Sequence, residues 1–164
     1  MVQQNGSQRQ FNILVANGVN LDLLGTREPE IYGTVTLLDI ERELQSNLDQ
    51  WIKTLNLAPC SLHFFQSNSE ENFLMEVSKP TWDGILINPA AWTHTSLALA
   101  DRLAAVGTPY VEVHLSHLAR REEFRRHSYT ASNSVGVVYG LGVDSYVAGL
   151  MGLIRHLMRA SKVS

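Results

Sequence analysis

Hydrophobic and polar positions along this chain switch repeatedly between two periods. Apolar residues crowd or alternate over residues 12–17, 60–66, 84–88, 110–114 and 134–140, which predicts five short strands. Between these runs the spacing changes to three and four. Leu37, Ile40, Leu44, Leu48, Trp51, Ile52 and Leu55 form one helical stripe, and Phe73, Leu74 and Val77 a shorter one. A third helix is predicted over 96–106, and a fourth over 144–159 with Tyr146, Val147, Leu150, Leu153, Ile154 and Leu157 as its stripe. Thr36 followed by Asp39 three residues on reads as a capping box, and Ser67-Asn68-Ser69 as the start of the second helix. Leu57-Ala58-Pro59, Pro80 and Gly107-Thr108-Pro109 supply the stops. Residues 89–95 read as a polar turn.

The resulting order is β-α-β-α-β-α-β-loop-β-α. Strands separated by helices pair in parallel through right-handed crossovers. The all-apolar run Gly84–Asn88 suits a strand buried on both faces. The pattern therefore predicts one catalytic or binding domain over 11–164: an α/β, doubly wound open parallel five-stranded sheet with helices on both faces. Residues 1–10, MVQQNGSQRQ, read as a disordered tail. Ligands of such sheets bind beyond the carboxyl ends of the strands. That rule gathers residues 17–32, 66–69, 88–94, 112–116 and 140–144 onto one rim.

Two connections are too long for ordinary turns, which take about 2–6 residues. The first, NGVNLDLLGTREPEIYG over 17–33, holds leucines that can pack and polar groups, Asn20, Arg27 and Tyr32 among them, that can converge on a ligand. The second, 115–133, carries arginines at 120, 121, 125 and 126.

Composition narrows the function. The chain has 164 residues, 45% of them apolar and 18% charged, with a net charge of −3, a balance that does not favour nucleic acid as a partner. One cysteine, Cys60, leaves no internal disulfide and no cysteine-based zinc site, and fits a reducing compartment. No run has the length of a membrane span or the character of a secretory signal, so the expected location is cytoplasmic.

On the rim, Glu112 and His114 stand two apart on one strand and so share a face, with Val111 and Val113 on the other. A carboxylate beside an imidazole orients the ring and favours its protonated form, which suits His114 as a general acid; a solvated or core-satisfied pair is the plainer alternative. Tyr32 as a base would have to work near neutrality rather than near pH 10, a difference of roughly 4 kcal/mol. One cation about 4 Å away at an effective dielectric of about 20 contributes on the order of 4 kcal/mol, so Arg27 alone is of the right size. The alternative is that Tyr32 caps the core and Arg27 is a solvated turn residue. The four arginines suit an anion site, a flexible lid or a solvated charge run. Asn88 at a strand end and His94 at a helix start offer ligand contacts or caps.

Several chemistries lose their footing. Gly140-Leu141-Gly142 follows a strand, but Ser145 occupies the third glycine position of a dinucleotide fingerprint. There is no Walker A and no G-x-S-x-G. His114 and His117 lie at a strand end that does not set them on one face, so no metal site is expected. Lys53, Lys79 and Lys162 fall off the rim, so no Schiff-base lysine is evident.

Taken together, NGVNLDLLGTREPEIYG, FQSNSE, INPAAWTHTS, VEVHLS, REEFRRHSY and GVVYGLG, in that order, resemble type II 3-dehydroquinate dehydratase over about residues 13–150. The resemblance implies a flavodoxin-like fold and a cofactor-free lyase that dehydrates 3-dehydroquinate to 3-dehydroshikimate by anti elimination through an enolate, in a dodecamer of four trimers. It implies that Tyr32 is the base and Arg27 the residue that lowers its pKa. Asn20 would help hold the water that stabilises the enolate, and His114 oriented by Glu112 would be the acid. Asn88, His94 and Arg125 would be substrate contacts, the Leu115 and Ser116 N–H groups a carboxylate grip, Arg121 the mobile-loop arginine and Asp101 a contribution from a neighbouring subunit. Val19 stands for a usual Pro, Ala90 for Gly, Trp92 for Tyr, Ser69 for His and Ala100 for Arg, with His117 and Ala119 for Asn and His; none removes a chemical group. The alternative reading is a non-catalytic flavodoxin-like module that binds a small anion.

Overall fold

Thr36 opens the first long helix with the reciprocal bonds its spacing to Asp39 predicts: Asp39 N–H donates to the Thr36 hydroxyl at 3.2 Å and Thr36 N–H to the Asp39 carboxylate at 3.0 Å. That helix, α1 (Leu37–Leu55), runs until Asn56 takes a left-handed φ of 51°. The structure, a computed structural model, describes residues 9–26 and 34–162. Its strands are β1 (Phe11–Asn17), β2 (Cys60–Gln66), β3 (Gly84–Asn88), β4 (Tyr110–His114) and β5 (Gly136–Tyr139). The remaining helices are α2 (Glu70–Val77), α3 (Leu97–Val106) and α4 (Asp144–Ala160).

All pairings are parallel and the strand order is β2-β1-β3-β4-β5. The chain moves outward from β1 to β2 and then returns to the other side of β1. The crevice between β1 and β3 is therefore the point where connections leave in opposite directions, the place such sheets leave open for a ligand. Register aligns Asn17 with Gln66 on one side and Asn88 on the other, so three amides stand in a row at the carboxyl edge.

Strand alternation sorts the core into two layers. Ile13, Val15, Val111 and Val113 pack with Ile40, Leu44 and Leu48 of α1 and Leu150, Leu153 and Leu157 of α4. Leu14, Ala16, Ile85, Ile87 and Tyr110 face the other way, against Phe73 and Val77 of α2 and Leu99 and Leu103 of α3. Each fully buried Leu or Ile contributes about 1.5–3 kcal/mol. β3, at the centre, is buried along its whole length. Gly149 lets α4 lie close on the sheet, since a Cβ there would stand 2.6 Å from the Val113 side chain.

Three expectations change in detail. Residues 89–95 are not a simple turn: Trp92–Thr95 form one helical turn, driven by Trp92 packing on Phe73 with ring centroids 5.2 Å apart. The loop after β4 contains short 3-10 turns at Leu118–Arg120, Glu123–Arg125 and Ala131–Asn133. β5 is shorter than the apolar run, because it has a neighbour on one side only and Gly140 turns away with a φ of 89°. Of the expected tail, residues 1–8 lie outside the described ones. Arg9 reaches Asp83 at 2.5 Å and Gln10 reaches Ser61 at 2.6 Å. Among the described residues no helix is long and apolar enough to cross a membrane.

Candidate active site

The carboxyl ends of β1, β3 and β4 surround a cavity of about 180 Å³. A larger hollow, about 340 Å³, lies between the ends of α1 and α4 among Leu55, Leu57, Arg155, Met158, Arg159 and Lys162. Volume alone does not choose between them. The first brings buried titratable and amide groups together from separate elements, which is the mark of a chemical site.

Of the residues expected on the rim, Asn20, Asn88, His94, His114, Leu115, Ser116, Arg121 and Arg125 line this cavity. Glu112 stands behind His114. Asp101 is exposed on α3 and does not reach the cavity of its own chain. Tyr32 and Arg27 lie outside the described residues.

Glu112 is fully buried and His114 nearly so, and His114 Nε2 lies 2.8 Å from Glu112 Oε1. Two hydroxyls also serve the carboxylate. Ser128 Oγ lies 2.9 and 3.1 Å from its two oxygens, and Thr130 Oγ1 donates to Oε2 at 2.5 Å. Burial alone would push the Glu112 carboxyl up. The hydrogen bond and charge of His114, then the bonds from Thr130 and Ser128, hold it below the usual carboxylate range. An ionised Glu112 accepts from the ring, so His114 Nε2 carries a proton and Nδ1 is the free nitrogen.

His94 lies on the one-turn helix, and its Nδ1 is 2.6 Å from the His127 carbonyl. A carbonyl only accepts, so Nδ1 carries the proton. Burial pushes the His94 pKa down, with the His127 carbonyl opposing and the His114 and Arg125 charges adding to the decrease. The ring is thus held neutral, with Nε2 as an acceptor.

Asn88 is fixed at both ends of its amide. Its Oδ1 accepts from Ala90 N–H at 3.1 Å, and its Nδ2 donates to the Tyr146 hydroxyl at 2.7 Å. Tyr146 donates in turn to Asn17 Oδ1 at 2.7 Å. Ala90 pays for this turn with a φ of 55°, which explains why glycine suits the position. Trp92 points into the α2–α3 core and does not line the cavity, and Ser69 caps α2 by accepting from Asn72 N–H. Ala100 is buried on α3, and the His117 ring stands edge-on to Tyr139 at 5.4 Å.

The first loop enters the site under constraint. Gly18 N–H donates to the Asn88 carbonyl at 2.8 Å, and a Cβ on Gly18 would meet the Pro89 carbonyl at 2.4 Å. Asn20 adopts a φ of 64° and its N–H donates to Asn68 Oδ1 at 2.7 Å. Asn68 also accepts from Gln66 at 3.1 Å and donates to Asp22 at 3.1 Å. The end of β2 therefore braces the loop without lining the cavity. The end of β5 does the same for the other side: Gly140 and Gly142 N–H groups donate to the His114 and Leu115 carbonyls at 3.3 and 3.1 Å.

Two cations complete the wall. Arg121 Nη1 lies 3.4 Å from Ser116 Oγ, and Arg125 Nε lies 3.4 Å from Glu122 Oε2, outside hydrogen-bonding geometry. The arrangement can bind an anion at Arg121 and Arg125, orient polar groups on Asn88 and His94, and supply a proton from His114. Sequence reasoning assigned no site role to Ser128, Thr130 or His127, placed Tyr146 only in the stripe of the last helix, and counted Asn17 only among the polar groups of the first long loop. The one usable signal was the rule that a buried carboxylate needs donors, and two hydroxyl residues follow the arginine run.

The family model described as "Dehydroquinase class II" matches residues 11–154. The chain is 50% identical over 152 residues to the 3-dehydroquinate dehydratase of Carboxydothermus hydrogenoformans, covering 91% of this chain and 94% of that one. It is 49% identical to the 3-dehydroquinate dehydratase of Acaryochloris marina, covering 89% of this chain and 95% of the other. Among solved structures, the type II dehydroquinase of Propionibacterium acnes superposes with a TM-score of 0.79 at 36% identity, covering 91% of this chain and 99% of that chain.

Proposed function

The chain belongs to the class II dehydroquinase family and is a 3-dehydroquinate dehydratase; we propose that its elimination runs through an enolate, with Tyr32 as the base and His114 as the general acid. The reading of a non-catalytic anion-binding module falls with that membership. Tyr32, as phenolate, takes the proton from the carbon beside the substrate ketone, and the electron pair moves onto the ketone oxygen. Asn20 helps hold a water against that oxygen. The enolate then collapses, the carbon–oxygen bond on the next carbon breaks, and the departing hydroxyl takes a proton from His114 to leave as water. The product is 3-dehydroshikimate. The proton gained by Tyr32 returns to His114 through solvent, which resets both groups.

The observation that carries this reading is His114 at the cavity wall, with Nε2 held 2.8 Å from the buried Glu112 carboxylate and Nδ1 left for substrate. General acids of this kind contribute about 10²–10⁴-fold. Arg121 and Arg125 face the substrate carboxylate together with the Leu115 and Ser116 N–H groups, and Asn88 and His94 bind its hydroxyls. Neither Tyr146 nor Tyr110 competes for the base. Burial drives the Tyr146 phenol far up, and burial followed by the Glu112 charge pushes Tyr110 up to about 12. Arg27 supplies the charge that brings Tyr32 into range.

Assembly as a dodecamer of four trimers, in the cytoplasm, completes the proposal, with Asp101 of a neighbouring copy closing the substrate pocket. Two features support it: Asp101 is exposed and outside its own cavity, and edge strand β5 exposes Val137 and Tyr139, with Val135 exposed just before it. The test is turnover of 3-dehydroquinate followed by the ultraviolet absorbance of the conjugated enone. The parent should turn over, and Tyr32→Phe and His114→Asn should fold and lose most activity. Near-parent activity in either variant removes that residue from its role.

A further inference from the structure

Glu112 holds more donors than one imidazole requires. Besides His114, it accepts from Ser128 and from Thr130, and the Thr130 bond is short at 2.5 Å. Both hydroxyls are themselves immobilised. Ser128 Oγ accepts from Ala131 N–H at 2.9 Å, which leaves its own proton for the carboxylate. Thr130 is completely buried and its carbonyl accepts from the Tyr110 hydroxyl. The segment 127–130 is tied down at two further points, where His94 donates to the His127 carbonyl at 2.6 Å and Tyr129 N–H donates to the Thr93 carbonyl at 2.9 Å. It forms a strap across the α2–α3 side of β4 that contacts both histidines of the site, His94 directly and His114 through Glu112.

We propose that Thr130, together with Ser128, is a positioning residue for the acid: the two hydroxyls fix the Glu112 carboxylate in the plane and charge state that hold His114 with Nε2 inward and Nδ1 toward the cavity. The proposal rests on the reading of His114 as the acid. A buried carboxylate with one partner could rotate or take up the ring's proton. Three donors fix its rotation and favour its ionised form, so it accepts from Nε2 and leaves Nδ1 turned to the cavity. Neither Ser128 nor Thr130 lines the cavity, so their effect on substrate passes through Glu112. Partners that orient a histidine from behind are worth about 10–100-fold in activity at metal sites, and we expect the same scale for Glu112 and His114.

Thr130→Val tests this, because it keeps the packed shape and removes the hydroxyl. We expect kcat to fall about 10–100-fold with KM within about twofold, and Thr130→Ser, which restores the hydroxyl, to recover most of the loss. Thermal unfolding of each variant separates folding from function. A parent-like kcat in folded Thr130→Val overturns the proposal, as does equal impairment of Val and Ser. If Thr130→Val does not fold, the half-buried Ser128→Ala carries the test: a lower kcat at constant KM supports the role and an unchanged kcat overturns it. His114→Asn separates this failure from that of the underlying reading. If it turns over like the parent, His114 is not the acid and both fall. If it is inactive while Thr130→Val is normal, only the positioning role falls.

Discussion

Asn88 and Tyr146 are joined by a buried hydrogen bond of 2.7 Å, and the same tyrosine hydroxyl passes its own proton to Asn17 at 2.7 Å. One side chain from α4 thus ties the ends of β1 and β3 together at the point where the sheet opens. Tyr146 is completely buried and burial raises its pKa, so it acts as a neutral bridge. Tyr146→Phe leaves a buried amide donor and a buried acceptor without partners, at about 1–3 kcal/mol. Denaturant unfolding should show that loss, and KM for 3-dehydroquinate should rise because Asn88 is no longer oriented. Unchanged stability and KM would contradict the bridge.

Ala90 holds a left-handed conformation for the sake of the turn after β3, with a φ of 55°. That conformation costs a residue with a Cβ about 1–2 kcal/mol, and glycine returns part of the gain through unfolded-chain entropy of about 0.4–1 kcal/mol. Ala90→Gly should therefore stabilise the protein by up to about 1 kcal/mol, or about 2–4 °C in a thermal melt. A lower melting temperature would show that the strain is relieved elsewhere.

Glu112 gives the fold a signature in acid. Burial alone would raise its pKa, yet His114, Thr130 and Ser128 together lower it below the unfolded value near 4.3. Its contribution to stability is accordingly full above about pH 4.3 and is lost as pH falls through the lower folded value. Urea midpoints measured between about pH 3 and 6 should decline more steeply in the parent than in Glu112→Gln. The variant should also lose most turnover, since a neutral amide cannot stabilise an imidazolium. Parallel pH profiles would mean that the carboxylate is not charged in the folded state.

His94 has the opposite dependence on its partners: burial lowers its pKa below the usual 6.5, and the opposing effects of the His127 carbonyl and the Glu112 charge do not offset it. The folded state favours the neutral ring. Its contribution is present above about pH 6.5 and is lost as pH falls, where the unfolded chain takes up the proton more readily. Ring resonances followed by NMR should show His94 titrating below pH 6.5, and His94→Gln should flatten the stability curve between about pH 5 and 6.5. A midpoint at or above 6.5 would reverse the assignment of Nε2 as an acceptor.

Local signals decided which elements form. The Thr36–Asp39 cap, the heptad-like stripes and the all-apolar run Gly84–Asn88 each depend on neighbours within a few residues, and all appear at the places their spacing gives. The two-residue spacing of Glu112 and His114 put them on one face for the same reason, and the parallel sheet then fixed which rim would carry the chemistry. The family motifs added the identity of the reaction.

Tertiary structure decided the rest, because it depends on partners far apart in the chain. Tyr146 reaches Asn17 across 129 positions, and Thr130 reaches Glu112 across 18. Neither spacing carries a period that a sequence pattern can report. Trp92 packs away from the cavity, on Phe73 of another helix, which offers it apolar surface. The need for a donor was legible at Glu112, since a buried carboxylate cannot stand alone. Which hydroxyls would meet it was set only when the strap at 127–130 folded back over β4.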